Sequence, residues 1–130
     1  MRFQFKRHYT IEEARRLLPK LRQWVAELKG LRARVSQLEK QIEHILAAGH
    51  DAGGQSVTEL IRSLGAMKKL LQNFQQREIQ LKDLERGLVD FPAILGGREV
   101  FLCWEEDEDD IEYWHDLETG YAGREKLPEA

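Results

Sequence analysis

The sequence predicts a mainly α protein: a long antiparallel helical hairpin, coiled-coil-like, with a small C-terminal β-hairpin head. Three observations predict it. An apolar seam of helical period runs from Leu17 to Ile45, and a second runs from Val57 to Leu88. The glycine-rich stretch AAGHDAGGQS separates them. Two short aromatic and β-branched runs, EVFLCW and IEYWHD, then flank the six consecutive acidic residues Glu105 to Asp110.

Residues 10–46 form the first predicted helix. Thr10 is a natural N-cap, and Glu13 stands where its carboxylate reaches back to the Thr10 amide. Leu17, Leu21, Trp24, Leu28, Leu31, Val35, Leu38, Ile42 and Ile45 recur in alternating steps of 4 and 3. That is the heptad spacing of coiled-coil packing. Pro19 removes one helical hydrogen bond and predicts a kink near the start. Residues 47–56 form the predicted loop. Residues 57–87 form the second predicted helix, with Ser56 as N-cap, Glu59 at the box position and Gly87 as the stop. A short connection folds the two helices back antiparallel. Leu18 and Val25 widen the first seam near its start, and Ile79 widens the second near its end. The head is therefore expected to pack at that broad end.

Residues 98–116 read as the β-hairpin. Pairing Trp104 with Ile111 puts Val100, Leu102, Trp104, Ile111, Tyr113 and His115 on one face, toward the helices. Phe101, Cys103, Trp114 and Asp116 take the other, so Cys103 is expected to lie away from His115. Phe3 and Phe5 alternate with polar residues, which makes Arg2 to Lys6 a candidate third strand. Residues 117–130 are a glycine-containing tail. The whole chain, 1–130, reads as one domain, the expectation at this length.

Composition narrows the function classes. Charged residues make up 33% of the chain against 42% hydrophobic ones, a share that suits long helices with solvated faces. Residues 1–46 carry a net charge of +6, residues 47–89 of +1 and residues 90–130 of -10, which makes the overall -3. The basic helix has an acidic counterpart in its own chain. Its arginines lie off the seam with no interleaved aromatics, so nucleic acid is disfavoured. Cys103 is the single cysteine and cannot form an intramolecular disulfide. No signal peptide or membrane span is visible, and the cytoplasm is the expected location.

The acidic run reads as a solvated turn between strands. A calcium loop starting at Asp107 fails, because Ile111 and Glu112 occupy positions that need a ligand and a glycine. Neighbouring strand residues point to opposite faces, so His115 and Asp116 cannot share an ion. No metal site, cofactor or catalytic set is predicted. GYAGR offers backbone amides and the fork of Arg124 to an anion.

These motifs also carry a resemblance. YTIEEARRLLPKL, GLVDFPA, GREVFLCW, IEYWH and GYAGR resemble the domain of unknown function 2203 family of small bacterial proteins. The resemblance frames nearly the whole chain but departs at the turn, where EEDEDD replaces a short Gly-Glu-type connection. It implies no activity. It directs attention to Arg98, Trp104, Trp114, His115, Gly120, Gly123 and Arg124 as one candidate ligand site in the head. Two functions are expected to compete. The first is an interaction or scaffolding module that self-associates through its helices as a homodimer. The second is a small-ligand or anion-binding protein, or an enzyme, with its site in the head.

Overall fold

A computed structural model describes residues 2–51 and 54–128. Residues 52 and 53 of the predicted loop and 129 and 130 of the predicted tail lie outside the described residues. Helix α1 spans Ile11–Ala47 and α2 spans Gln55–Gln76. A five-stranded antiparallel sheet follows: β1 (Gln80–Asp83), β2 (Leu88–Leu95), β3 (Arg98–Glu105), β4 (Tyr113–Asp116) and β5 (Glu125–Lys126). The strands lie side by side in chain order.

The start of α1 is as expected. The Thr10 hydroxyl accepts from the Glu13 amide and the Glu13 carboxylate accepts from the Thr10 amide. The helix runs on through Pro19 and is about 55 Å long at 1.5 Å per residue. Helix α2 starts differently. Gly54 stands at its N-cap, and the Thr58 hydroxyl bonds the Gly54 carbonyl, so Ser56 lies inside the helix.

The head is larger than predicted because α2 stops at Gln76 rather than Gly87. The Ile79 amide donates to the Phe74 carbonyl and the Glu78 amide to that of Gln75. Glu78 takes the left-handed conformation at φ 57° that closes such a Schellman turn. Glycine usually fills that place; a glutamate there hid the stop. Ile79 and Phe74, the apolar pair of the motif, are both buried. Residues 80–83 and 88–95, expected as helix and connection, instead become strands. Gly87, at φ 60°, turns the chain between them, and a Cβ there would meet the Glu106 side chain at 2.7 Å.

The sheet packs on the broad end of the hairpin, as expected. Val89, Phe91, Ala93, Val100, Leu102 and Trp104 face Ala14, Leu18, Leu21, Val25 and Leu28 in one core. Burying each large side chain contributes roughly 1.5–3 kcal/mol. Trp24 meets Phe74 edge-on at 5.5 Å between ring centres, closing the seam between the helices. Beyond this core the hairpin projects as a thin stalk in which Leu38 is buried and Ile61, Leu64 and Leu71 are exposed.

Arg2 to Lys6 forms no strand. Two carboxylates take the amides a neighbouring strand would take. Glu99 accepts from Gln4 at 2.7 Å and from Phe5 at 3.0 Å. Glu78 accepts from Lys6 and Arg7, and the Tyr9 amide reaches the Pro92 carbonyl. The segment thus crosses the outer face of the sheet, with Phe5 stacked 5.3 Å from Phe101.

This clasp is acid-sensitive. Burial pushes the Glu99 carboxyl up, but the His8 ring and the Phe5 and Gln4 amides outweigh it and hold it below its ordinary 4.5. A depressed carboxyl contributes stability that is present above the unfolded value and lost as pH falls through the folded one. Hydrogen exchange of the Gln4 and Phe5 amides should therefore accelerate, beyond the intrinsic rate change, as pH drops below about 4.5. Glu99→Gln should show that loosening already at neutral pH, with the α1–sheet core still protected.

Candidate functional site

The outer face of the sheet is set by strand register. β3 and β4 pair Phe101 with His115, Leu102 with Trp114 and Cys103 with Tyr113. The expected pairing of Trp104 with Ile111 is off by one residue. A one-residue slip moves every side chain to the other face. His115 therefore points away from the helices and joins Cys103, while Trp114 and Asp116 take the helix side. Across β2 and β3, Asp90 stands directly opposite Cys103. Asp90, Cys103 and His115 thus converge on one face from three strands.

Asp90 and His115 are each only 2% exposed. His115 Nε2 lies 3.0 Å from Asp90 Oδ2, and His115 Nδ1 lies 2.6 Å from the Asp116 carbonyl oxygen. A carbonyl oxygen only accepts, so Nδ1 carries a proton. The 3.0 Å contact of Nε2 with the Asp90 carboxylate needs a proton between them, so the two groups share one. Burial pulls the imidazole pKa down, but the bonds to Asp90 and to Asp116 raise it above its ordinary 6.5. Asp90 Oδ1 is buried and has no hydrogen-bond partner among the described residues. Burial, with the Asp90 carboxylate beside it, pushes the Cys103 thiol up to about 12. A thiol so held is protonated at neutral pH and is a poor nucleophile by itself.

The trio floors a pocket of about 300 Å³. Leu88, Phe101, Leu117 and Tyr121 supply apolar walls, and Lys82 and Glu118 stand at its rim. Gly120, at φ 65°, turns the chain back over the pocket. Gly123 packs close under Thr119, whose Cβ lies 2.5 Å from where a Gly123 Cβ would sit.

The predicted site residues divide. His115 and Gly120 line the pocket. Arg124 borders it, with Nη1 4.0 Å from Cys103 Sγ and its guanidinium 3.8 Å from the centre of the Tyr113 ring. Arg124 folds back onto Glu108, held at 2.6 Å and 3.3 Å through its two terminal guanidinium nitrogens. Trp104 and Trp114 lie on the helix side of the sheet; Trp104 is buried and its indole N–H donates to the Glu108 carbonyl. Arg98 pairs with Asp116 and lies over the Trp114 ring. Asp90 and Cys103 were missed as site residues. The available signal was a lone aspartate inside the apolar run LVDFPAIL.

The acidic run is more than a solvated turn. Arg22 donates to the backbone carbonyls of Glu106, Glu108 and Asp109, and Arg15 to that of Ile111. Lys29 pairs with Glu106, Arg86 with Glu105 and Arg15 with Asp110. The basic helix and the acidic segment neutralise each other within the chain.

Removing one member of the buried pair leaves the other uncompensated, which costs about 3–5 kcal/mol. His115→Ala should lower stability by that order in chemical denaturation. Adding Asp90→Asn to it should recover part of the loss, since the stranded charge is then gone. A double variant whose loss equals the sum of the two single losses would show that the pair is not coupled.

No solved structure matches this chain. A family model does: that of the uncharacterized conserved protein family DUF2203 matches residues 7–127. The match spans both helices and the whole sheet, and the chain belongs to this family.

Proposed function

We propose that the protein binds a small molecule carrying both a hydrogen-bond donor and an acidic group in the outer-face pocket of its head. The observation that carries this reading is the buried Asp90 carboxylate oxygen that has no hydrogen-bond partner among the described residues, in the lining of the pocket. An unsatisfied buried acceptor costs about 1–3 kcal/mol. A cost of that size in a concave pocket with both apolar walls and converging polar groups is what a site built for a ligand carries. Lys82 supports an acidic ligand. Its ammonium lies 5.2 Å from the centre of the Phe101 ring and has no carboxylate partner among the described residues. A pocket of about 300 Å³ sits at the small end of the usual range, so the ligand is small.

A second reading concerns the stalk. Ile61 is 66% exposed, Leu64 48% and Leu46 58%. An apolar strip of this kind on a two-helix stalk suits a second copy packing as a four-helix arrangement. Self-association as a homodimer then serves as the scaffold on which two heads are carried. Among the described residues, no helix is long and apolar enough to cross a membrane.

Thermal melts against a panel of small carboxylates and phosphate esters test the first reading. At least one should raise the melting temperature by several degrees, and Lys82→Glu should abolish that rise while leaving the ligand-free melt nearly unchanged. A panel without any such rise would sink the reading. For the second, light scattering at micromolar concentration should report about twice the 15.2 kDa chain mass. Ile61→Glu with Leu64→Glu should return it to the monomer value.

A further inference from the structure

We infer that Asp90, Cys103 and His115 form a site for one divalent transition-metal ion of the zinc class, open toward the pocket. The inference rests on the outer-face pocket being a binding site and names what its floor holds.

The first support is geometry. Among the described residues, one ligand atom each from Asp90, Cys103 and His115 all lie within 4.8 Å of one another. Ligands about 2.0–2.3 Å from one ion stand roughly 3.5 Å apart in a tetrahedron. Side-chain movements on the order of 1 Å close the trio onto an ion. The residues sit on three adjacent strands of one sheet, a rigid frame.

The second support is what surrounds them. His115 Nδ1 donates to the Asp116 carbonyl, which leaves Nε2 as the metal-facing nitrogen. A ligating histidine regularly donates its other N–H to such an acceptor. Arg124 brings an N–H to 4.0 Å of Cys103 Sγ, where it favours a thiolate. Its own charge is met by Glu108, so it does not oppose a cation. Asp90 Oδ1 is buried and has no hydrogen-bond partner among the described residues, and an ion satisfies it.

The donor set selects the metal. Thiolate, imidazole and carboxylate together suit zinc, cobalt and their neighbours, whereas calcium and magnesium want oxygen ligands alone. Binding is a balanced exchange. The ion takes the place of the thiol proton of Cys103 and of the proton shared by Asp90 and His115, and two protons leave to solvent. Three protein ligands leave one tetrahedral position open, the arrangement of a site that also accepts water or a substrate atom. That position faces the pocket, where an acidic ligand steered by Lys82 reaches it.

Cobalt titration of chelator-treated full-length protein decides the matter. One Co²⁺ per chain should bind, with visible bands of tetrahedral intensity and a near-ultraviolet thiolate-to-cobalt band. Zn²⁺ should displace it and Mg²⁺ should not. Cys103→Ser, nearly isosteric, should keep the fold and lose the near-ultraviolet band. His115→Gln should weaken affinity by more than about 100-fold, beyond the 10–100-fold that loss of an outer partner costs. Should His115→Gln fail to fold, the wild-type and Cys103→Ser spectra still decide. Absence of stoichiometric binding overturns the inference, and so does a Co²⁺ spectrum unchanged in Cys103→Ser. Stabilisation by a small acid in a protein that binds no Co²⁺ overturns the metal and spares the pocket. One bound Co²⁺ with the expected bands and no acid binding supports the metal and removes the acidic ligand.

Discussion

Two strand registers place the chemistry of this protein. Between β2 and β3 the register comes from the two-residue turn Gly96–Gly97, with φ of 58° and 76°. Successive positive φ values make the tight turn whose twist matches an antiparallel pair. That turn sets Asp90 opposite Cys103 and Phe91 opposite Leu102. Between β3 and β4 no such turn exists. The register is instead set by the acidic connection, fastened through the Trp104 indole N–H to the Glu108 carbonyl and through Arg15 and Arg22 to backbone oxygens. Shifted by one residue, His115 would enter the apolar core and Trp114 the pocket. The core would then hold an imidazole without Asp90, and the Asp90 carboxylate would lose the His115 ring.

The same constraint explains how a small chain tolerates a buried aspartate. The centre of the helix side of the sheet is apolar, from Val89, Phe91 and Ala93 across to Val100, Leu102 and Trp104, and supplies the folding energy through contacts with α1. The outer side is covered more thinly, by residues 3–8 and by the stretch from Leu117 to Arg124. Buried ion pairs rarely repay their desolvation, so Asp90 and His115 are a weak source of stability. Their cost is offset by the other face. A hydrophobic pair of similar size would fill the space with less penalty, and the presence of polar groups there points to use rather than to folding.

Much of the helical part was legible in the sequence, and its limits follow from local physics. The Thr10 capping box, the seam of α1 and the broad packing end all stand because each is a short-range pattern. The end of α2 was illegible because Glu78 occupies a left-handed position without the glycine that announces it. Once the stop was missed, Leu81, Leu84 and Leu88 fell in helical steps by coincidence, and β1 and β2 disappeared into a helix. The N-terminal segment alternates like a strand but bonds through carboxylates, which alternation cannot reveal. In the head, His115 and Gly120, singled out by residue type, line the pocket, and Arg124 borders it. Asp90 and Cys103 were not singled out, because their role depends on a register that the sequence leaves one residue uncertain. GLVDFPA, GREVFLCW and IEYWH, three of the stretches that carry the family resemblance, hold one member of the trio each.

The acidic run closes the argument from helix to pocket. Arg22 on α1 gathers the carbonyls of Glu106, Glu108 and Asp109, which fixes the path of the turn. The turn fixes Glu108, whose carboxylate also accepts the Glu105 amide at 2.8 Å. Glu108 then holds Arg124 by two bonds, and Arg124 lies flat against Tyr113 with an N–H toward Cys103. A pair of exposed charges would contribute little. Here both partners are largely shielded, the contact is bidentate, and it lies between two aromatic rings. Six acidic residues in a row therefore do two separate things. Glu106 and Asp110 pair with Lys29 and Arg15 of α1, and Glu108 positions the cation that borders the Cys103 thiol. The position of the head on α1 and the electrostatics of the pocket are set by one turn.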